Sequence, residues 1–226
     1  MRCLHDPGGV SCCQRTPPVK GLASIQKNPR SAVMSEEENK PEGNGMDPIM
    51  GKLLETRSIV ISSQVDSKLA DRCIKQILTL EQMDPDKEIL VYINSPGGEI
   101  NSGFAIFDML KFVSCPITTI VSGLAASMGS VLSLVGDEGR RFALPNAQVM
   151  IHQPLLTQAQ GSITDLEIHS KQILKTREKL AGMYAEVTGK TIKRILKDMD
   201  RDHWLTAEDA KEYGLIDKVI KSRSEL

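Results

Sequence analysis

The chain lacks an excess of either charge, and it lacks long apolar runs. Its 28 basic residues face 29 acidic ones, which leaves a formal net charge of −1. A chain without excess positive charge has no general attraction for nucleic acid or for an anionic membrane surface. No stretch holds 18 consecutive apolar residues, roughly the length that a membrane-spanning helix needs. The sequence therefore predicts neither nucleic acid nor a membrane as a partner.

Cysteines are few in the body of the chain. Three of the five lie in the first thirteen residues, which leaves Cys73 and Cys115. Neither shows the spacing of metal ligands, and lone thiols in apolar surroundings are typical of core residues in a reducing compartment. We therefore expect no metal site and a cytoplasmic location.

Residues 1–49 differ in composition from the rest. Five basic residues stand against one acid in 1–33, and 35–45 are acidic without a hydrophobic side chain. Neither stretch can bury enough apolar surface to offset the entropy of ordering it, so we expect a disordered extension. The lack of an apolar h-region argues against a secretory signal. Three origins stay open: a transit peptide, which would place the protein in an organellar matrix, a propeptide, or a misassigned start, with Met34, Met46 or Met50 as the true one.

From about residue 50, strand-like and helix-like patterns alternate. Apolar residues at helical spacing predict helices over 66–83 and 100–110, and a short helix after Ser127. The stretch 88–93 is almost wholly apolar, which is typical of a strand buried on both faces. Strands are predicted over 58–62, 88–93, 116–124, 142–144 and 148–152. This alternation favours crossover units and a mainly parallel sheet, and hence an α/β fold.

The last third of the chain is more helical. Thr164 and Glu167 match a capping box for a long helix that reaches about Val187. Its length exceeds what a single domain needs, so we expect it to project and to meet a partner subunit. Two shorter helices follow, one over 191–199 and one that is capped by Thr206 and stopped by Gly214.

Ser127 and His152 are candidates for nucleophilic catalysis. Ser127 lies where a predicted strand turns into a short helix, near unpaired backbone N–H groups that favour negative charge. His152 directly follows an apolar strand, and strand ends of an α/β sheet open into clefts. By itself, such a serine is more often a helix cap or a packing residue, and such a histidine is more often semi-buried and hydrogen-bonded. Together they suggest a serine hydrolase.

The remaining parts of such a site are less well defined by the residues. A catalytic histidine needs an acid to fix its tautomer, and the sequence leaves four candidates open: Asp137, Asp165, Asp200 and Asp202. The turn 94–98 can supply an oxyanion donor, because Gly98 has no Cβ to hinder the approach of its N–H. The N–H of Met128, next to the nucleophile, would be the second donor.

Several long motifs resemble one family. The chain is similar to the proteolytic subunit of the caseinolytic Clp protease over about residues 50–226. The motifs occur in the family's order, and they read INSPGGEINSGFAIFD, GLAASMGSVLSL, RRFALPNAQVMIHQP, TDLEIHSKQIL and DRDHWLTAEDAKEYGLID. The resemblance implies a ClpP/crotonase-like fold of repeated βα units, with a protruding helical handle at about 153–187.

The resemblance also assigns roles to individual residues. It implies Ser127 as the nucleophile, His152 as the general base and Asp202 as the acid that orients the histidine. It implies that the backbone N–H groups of Gly98 and Met128 form the oxyanion hole. The activity would be that of an ATP-dependent serine endopeptidase that forms an acyl-enzyme.

Assembly and partners are implied in the same way. Family members stack two heptameric rings around their active sites, with homomeric or mixed subunits, and Asp200 and Arg201 align with the ion-pairing residues of the ring–ring contact. An AAA+ Clp unfoldase consumes ATP and feeds unfolded polypeptides into the chamber, so the peptidase itself would need no cofactor. The segment 155–164 retains only Gly161 of the glycines usual there, which predicts an altered cleavage preference.

Two other functions remain to be weighed. A crotonase-like acyl-CoA enzyme would use paired backbone N–H groups on a thioester, but it does not require a serine, a histidine and an aspartate together. A catalytically silent ring subunit would only scaffold active partners.

Overall fold

A mainly parallel β-sheet with helices packed on it organises the chain, and a computed structural model describes residues 48–155 and 161–226. The strands are β1 (Ser58–Ile61), β2 (Ile89–Ser95), β3 (Ile117–Ala126), β4 (Arg141–Ala143), β5 (Gln148–Ile151), β6 (His203–Thr206) and β7 (Lys218–Val219). The helices are α1 (Pro48–Glu55), α2 (Ser67–Met83), α3 (Ile100–Phe112), α4 (Met128–Ser133), α5 (Ile163–Thr188), α6 (Ile192–Asp198) and α7 (Ala207–Tyr213). The predicted α/β class is confirmed.

The long strand β3 is the centre of the sheet. The strand order is β1-β2-β3-β4-β7, and every pairing along it is parallel. The first half of β3 pairs with β4 at 119–121, while its last three residues pair with β5. Strand β6 was not predicted; it pairs antiparallel with β5 and extends this second branch of the sheet. The residues that follow β3 and β5 therefore lie at the same edge of the sheet.

The sheet is covered unevenly. Apolar residues of α2 and α3, such as Leu80 and Ile106, pack with β2 in the main core. The expectation that the strand at 88–93 is buried on both faces is wrong in part, because burial alternates along β2. Leu90 and Tyr92 are half-buried and pack against only a small second cluster of apolar side chains.

The long helix begins earlier than predicted. The capping box is formed by Ser162 and Asp165 and not by Thr164 and Glu167: the Ser162 hydroxyl accepts from the Asp165 N–H (3.3 Å), and the Asp165 carboxylate accepts from the Ser162 N–H (2.9 Å). Both pairs have the right spacing, but only the first follows a residue with positive φ, Gly161, which lets the chain turn into the helix. The two shorter helices are confirmed, as are the cap at Thr206 and the stop at Gly214.

Some expectations lie outside the described residues. These are residues 1–47 of the expected disordered extension and residues 156–160 of the segment 155–164. The last two residues of that expected extension, 48 and 49, are helical and belong to α1. Within the described ranges, no helix has the length and apolar character to cross a membrane.

Candidate active site

The backbone at Ser127 makes an abrupt turn between β3 and α4. Its φ is 54° and its ψ is −121°, a conformation that residues other than glycine rarely adopt. The Ser127 N–H donates to the carbonyl of Met150 on β5 at 2.9 Å. Strain of this kind, on the order of 1–3 kcal/mol, persists where the surrounding structure fixes the residue, and it is concentrated at functional sites.

The Ser127 hydroxyl faces His152. Although Ser127 occupies the N-cap position of α4, its side chain makes no capping hydrogen bond. Its Oγ lies instead 2.8 Å from His152 Nε2. The pairing of Ala126 with Met150 in β3 and β5 brings the two residues together, because each lies just past the paired segment. The histidine side chain is only 14% exposed.

Strand β6 places one of the four candidate acids beside the histidine. Ile151 on β5 pairs with His203 on β6 in an antiparallel register, so His152 and Asp202 face each other across the end of the pair. His152 Nδ1 lies 3.3 Å from Asp202 Oδ1, and the aspartate side chain is 61% exposed.

The other three acids are engaged elsewhere. The Asp137 carboxylate accepts from the Ile117 N–H at 2.9 Å, and Asp165 belongs to the capping box of α5. Asp200 Oδ1 lies 3.8 Å from an Nη atom of Arg177. Of the four, only Asp202 contacts the His152 ring.

Gly98 and Met128 line the same groove as Ser127 and His152. The Val65 N–H donates to the Gly97 carbonyl and the Glu99 N–H donates to the Val65 carbonyl, both at 2.8 Å. The Gly98 N–H shares a trans peptide with the Gly97 carbonyl, so the two point in opposite directions and the N–H points away from Val65. Met128 is the first residue of α4, so its N–H has no carbonyl partner within the helix. Both donors are thus available to a bound group.

Gly97, which the sequence did not single out within the turn 94–98, packs directly against Ser127. Its φ is 90°, and a Cβ on it would lie 2.6 Å from the Ala126 carbonyl oxygen and 2.7 Å from the Ser127 Cβ. The sequence signal for this position was present in the pair Gly97-Gly98, but the pattern could not tell which glycine approaches the serine.

Replacement of Gly97 by alanine is expected to lower both stability and activity. The new Cβ must displace backbone that holds Ser127, and positive φ at a non-glycine residue adds about 1–3 kcal/mol of strain. Chemical denaturation and peptide hydrolysis measure the two effects. Gly182→Ala is the matched control, since a Cβ there meets nothing within 4 Å. A Gly97→Ala protein as active and as stable as this control would contradict the close packing.

The groove extends from the Ser127–His152 pair into an apolar region. It has a volume of about 540 Å³, and its apolar lining includes Ile100, Val131, Pro154 and Leu180. A cavity of similar size, about 580 Å³, lies between α3 and α5 but contains none of the candidate catalytic side chains. The groove that contains Ser127 is therefore the site where an acyl group could be bound and attacked.

Asp200 and Arg201 lie in the loop between α6 and β6, beside the candidate acid. The Gln153 side chain donates to the Asp200 carbonyl at 2.9 Å, and the Gln153 N–H donates to the Met199 carbonyl at 2.6 Å. The loop is thereby tied to the segment that carries His152. The role of Asp200 and Arg201 in a ring contact stays a prediction.

Comparison with known proteins points to one family. A family model described as Clp protease matches residues 41–223, well over half of the chain. The chain is also similar to the ATP-dependent Clp protease proteolytic subunit 1 of Protochlamydia amoebophila (strain UWE25). The two sequences are 52% identical over 181 residues, which is 80% of this chain and 88% of the relative.

Proposed function

Because this chain belongs to the Clp protease family, we propose that it is the proteolytic subunit of an ATP-dependent Clp protease and acts as a serine endopeptidase. Its substrates are unfolded polypeptides, which it hydrolyses to short peptides. The observation that carries the catalytic assignment is the 2.8 Å approach of Ser127 Oγ to His152 Nε2, made by a serine that does not cap its helix.

In the proposed reaction, Ser127 Oγ attacks the carbonyl carbon of the scissile peptide bond. His152 Nε2 accepts the hydroxyl proton and then donates it to the leaving amine. The Asp202 carboxylate accepts a hydrogen bond from the His152 Nδ1–H and stabilises the imidazolium. Water then attacks the acyl-enzyme, with His152 again as the base, and restores the free serine.

The negative charge that forms on the substrate oxygen is bound by backbone donors. The N–H groups of Gly98 and Met128 are proposed to point at this oxygen in the tetrahedral intermediate. Removal of one such donor costs roughly 10²–10³ in kcat in enzymes of this type. The position of Met128 at the start of α4 supports this role, since the positive end of the helix dipole faces the same charge.

Labelling with a fluorophosphonate tests the proposed nucleophile directly. The reagent forms a covalent bond only to an activated serine, so the native protein should be labelled at Ser127, as located by mass spectrometry of its peptides. Heat-unfolded protein is the control and should not react, because the contact with His152 is lost.

The two alternative functions make different predictions for the same protein. A silent ring subunit would remain unlabelled and would not hydrolyse peptides. A crotonase-like enzyme would bind a coenzyme A ester, for which the described groove offers backbone donors. Failure of labelling in a correctly folded protein would overturn the proposed activity.

We further propose that the chain assembles into two stacked heptameric rings, homomeric or mixed, and receives its substrate from an AAA+ Clp unfoldase. Exposed apolar residues in the first half of α5 support a contact there, with Ile163 79% and Ile168 59% exposed. Asp200 and Arg201 are assigned to the contact between rings. Burial of the active sites in a chamber would exclude folded proteins by size.

A further inference from the structure

Two buried hydroxyl groups connect the long helix α5 to the helix that follows Ser127. Ser130 on α4 and Tyr184 on α5 are 0% and 1% exposed. The Ser130 hydroxyl and the Tyr184 hydroxyl lie 2.7 Å apart, and Ser130 Oγ also lies 2.7 Å from the carbonyl oxygen of Ser127. The proposed catalytic steps use neither hydroxyl.

The number of available protons fixes which group donates in each of these two hydrogen bonds. A carbonyl can only accept, so the single hydroxyl proton of Ser130 is donated to the Ser127 carbonyl. Ser130 Oγ must then accept from the phenol O–H of Tyr184. Burial raises the pKa of Tyr184, so the phenol keeps its proton.

The Ser127 carbonyl belongs to the same peptide plane as the Met128 N–H. In a trans peptide the two groups point in opposite directions, so fixing one fixes the other. The carbonyl accepts from the Ser130 N–H at 3.0 Å, from the Val131 N–H at 3.2 Å and from the Ser130 hydroxyl at 2.7 Å. The side-chain bond is the shortest of the three. It also acts on a residue whose strained φ and ψ need support.

We propose that Ser130 and Tyr184 are positioning residues for the oxyanion hole, which hold the Ser127–Met128 peptide plane so that the Met128 N–H points at the developing oxyanion. The inference rests on the proposed function, because it gives this N–H a role only if Ser127 is the nucleophile. Tyr184 lies on α5. A shift of that helix relative to α4 would therefore weaken the Tyr184–Ser130 hydrogen bond and turn the Met128 N–H away from the oxyanion.

Two variants test the linked hydrogen bonds of Tyr184 and Ser130, and a third serves as the matched control. Tyr184→Phe removes the donor and keeps the ring, while Ser130→Ala removes the bond to the Ser127 carbonyl. Ser133→Ala is the control: Ser133 is equally buried in α4 and its hydroxyl bonds the Ser130 carbonyl at 2.7 Å, but it does not contact Ser127.

The expected result is a loss in turnover and not in substrate binding. For a short fluorogenic peptide, kcat should fall about tenfold in Ser130→Ala and several-fold in Tyr184→Phe, with KM unchanged, since misorientation costs less than the ~10²–10³ of a removed donor. The affinity of a peptide boronate, whose tetrahedral adduct fills the oxyanion hole, should fall by the same factors. The double variant should be no worse than Ser130→Ala, because the two hydroxyls act in series.

A merely structural role gives another pattern. In that case both variants would lower the melting temperature and leave kcat and boronate affinity equal to those of Ser133→Ala, which would overturn the inference. If Ser130→Ala does not assemble, Tyr184→Phe decides the matter, because it leaves the packing volume nearly unchanged. Lack of fluorophosphonate labelling in the unaltered protein would refute the proposed function instead, so the two failures can be told apart.

Discussion

Peptide hydrolysis should fall by about 10⁶ in kcat when Ser127 is replaced by alanine, the loss typical of a removed serine nucleophile. The fold should survive, because the Ser127 side chain does not cap α4 and the new residue keeps a Cβ of the same size. A fluorogenic peptide assay measures the loss, and native mass spectrometry measures the assembly. The loss reports on the chemical step. Among the described residues, no other side-chain oxygen lies at 2.8 Å from His152 Nε2.

Ser122→Ala is the matched control for this experiment. Ser122 is an exposed serine on β3, the strand that precedes Ser127, and its hydroxyl donates to the Ile93 carbonyl at 3.2 Å without contacting the histidine. We expect its activity to equal that of the unaltered protein. Normal turnover in Ser127→Ala would exclude the assigned nucleophile.

Asp202→Asn should lower kcat by about 10⁴ with little change in KM. The amide can present its NH₂ group to the His152 Nδ1 atom, which favours the tautomer in which Nε2 carries the proton and cannot accept one from the serine. The 3.3 Å separation is longer than a tight hydrogen bond, but catalytic contacts often shorten only when substrate is bound. Steady-state kinetics on a short peptide measure the effect.

Asp137→Asn separates this effect from a general loss of acidic charge. Asp137 was another candidate acid, and its carboxylate accepts from the Ile117 N–H, a bond that an asparagine oxygen can also accept. Its kcat should remain within the error of the unaltered protein. Equal losses in the two variants would contradict the assignment of Asp202, and an unchanged rate in Asp202→Asn would remove the aspartate from the mechanism.

Most of the strands and helices could be predicted, in their order, from short stretches of chain, but α1, β6 and β7 could not. The helix over 66–83 begins after the Asp66 cap as its apolar spacing indicated, and the helix between Thr206 and Gly214 has the expected cap and stop. The start of α5 was mistaken because two Ser/Thr and acid pairs of equal spacing overlap. Only the geometry at Gly161 distinguishes them.

The missing strand β6 had the largest consequence. The four residues His203–Thr206 are too short for an alternating pattern to stand out, and their pairing with β5 is non-local. Without that pairing, the residues gave no ground for choosing Asp202 over three other acids. The family resemblance supplied the choice, and the antiparallel register supplies its physical basis.

Local signals thus identified Ser127, His152 and the glycine turn as chemically unusual, because turn conformation, strand character and helix caps depend on a few neighbouring residues. The family resemblance implied that Asp202 orients His152, but the register that brings them together, the contact of Gly97 with Ser127 and the Tyr184–Ser130 connection came only from the folded chain. Each joins residues that are about 30 to 55 positions apart, a separation bridged only by strand register and by the packing of α5 on α4. Those are set by the whole core, and no short window of residues encodes them.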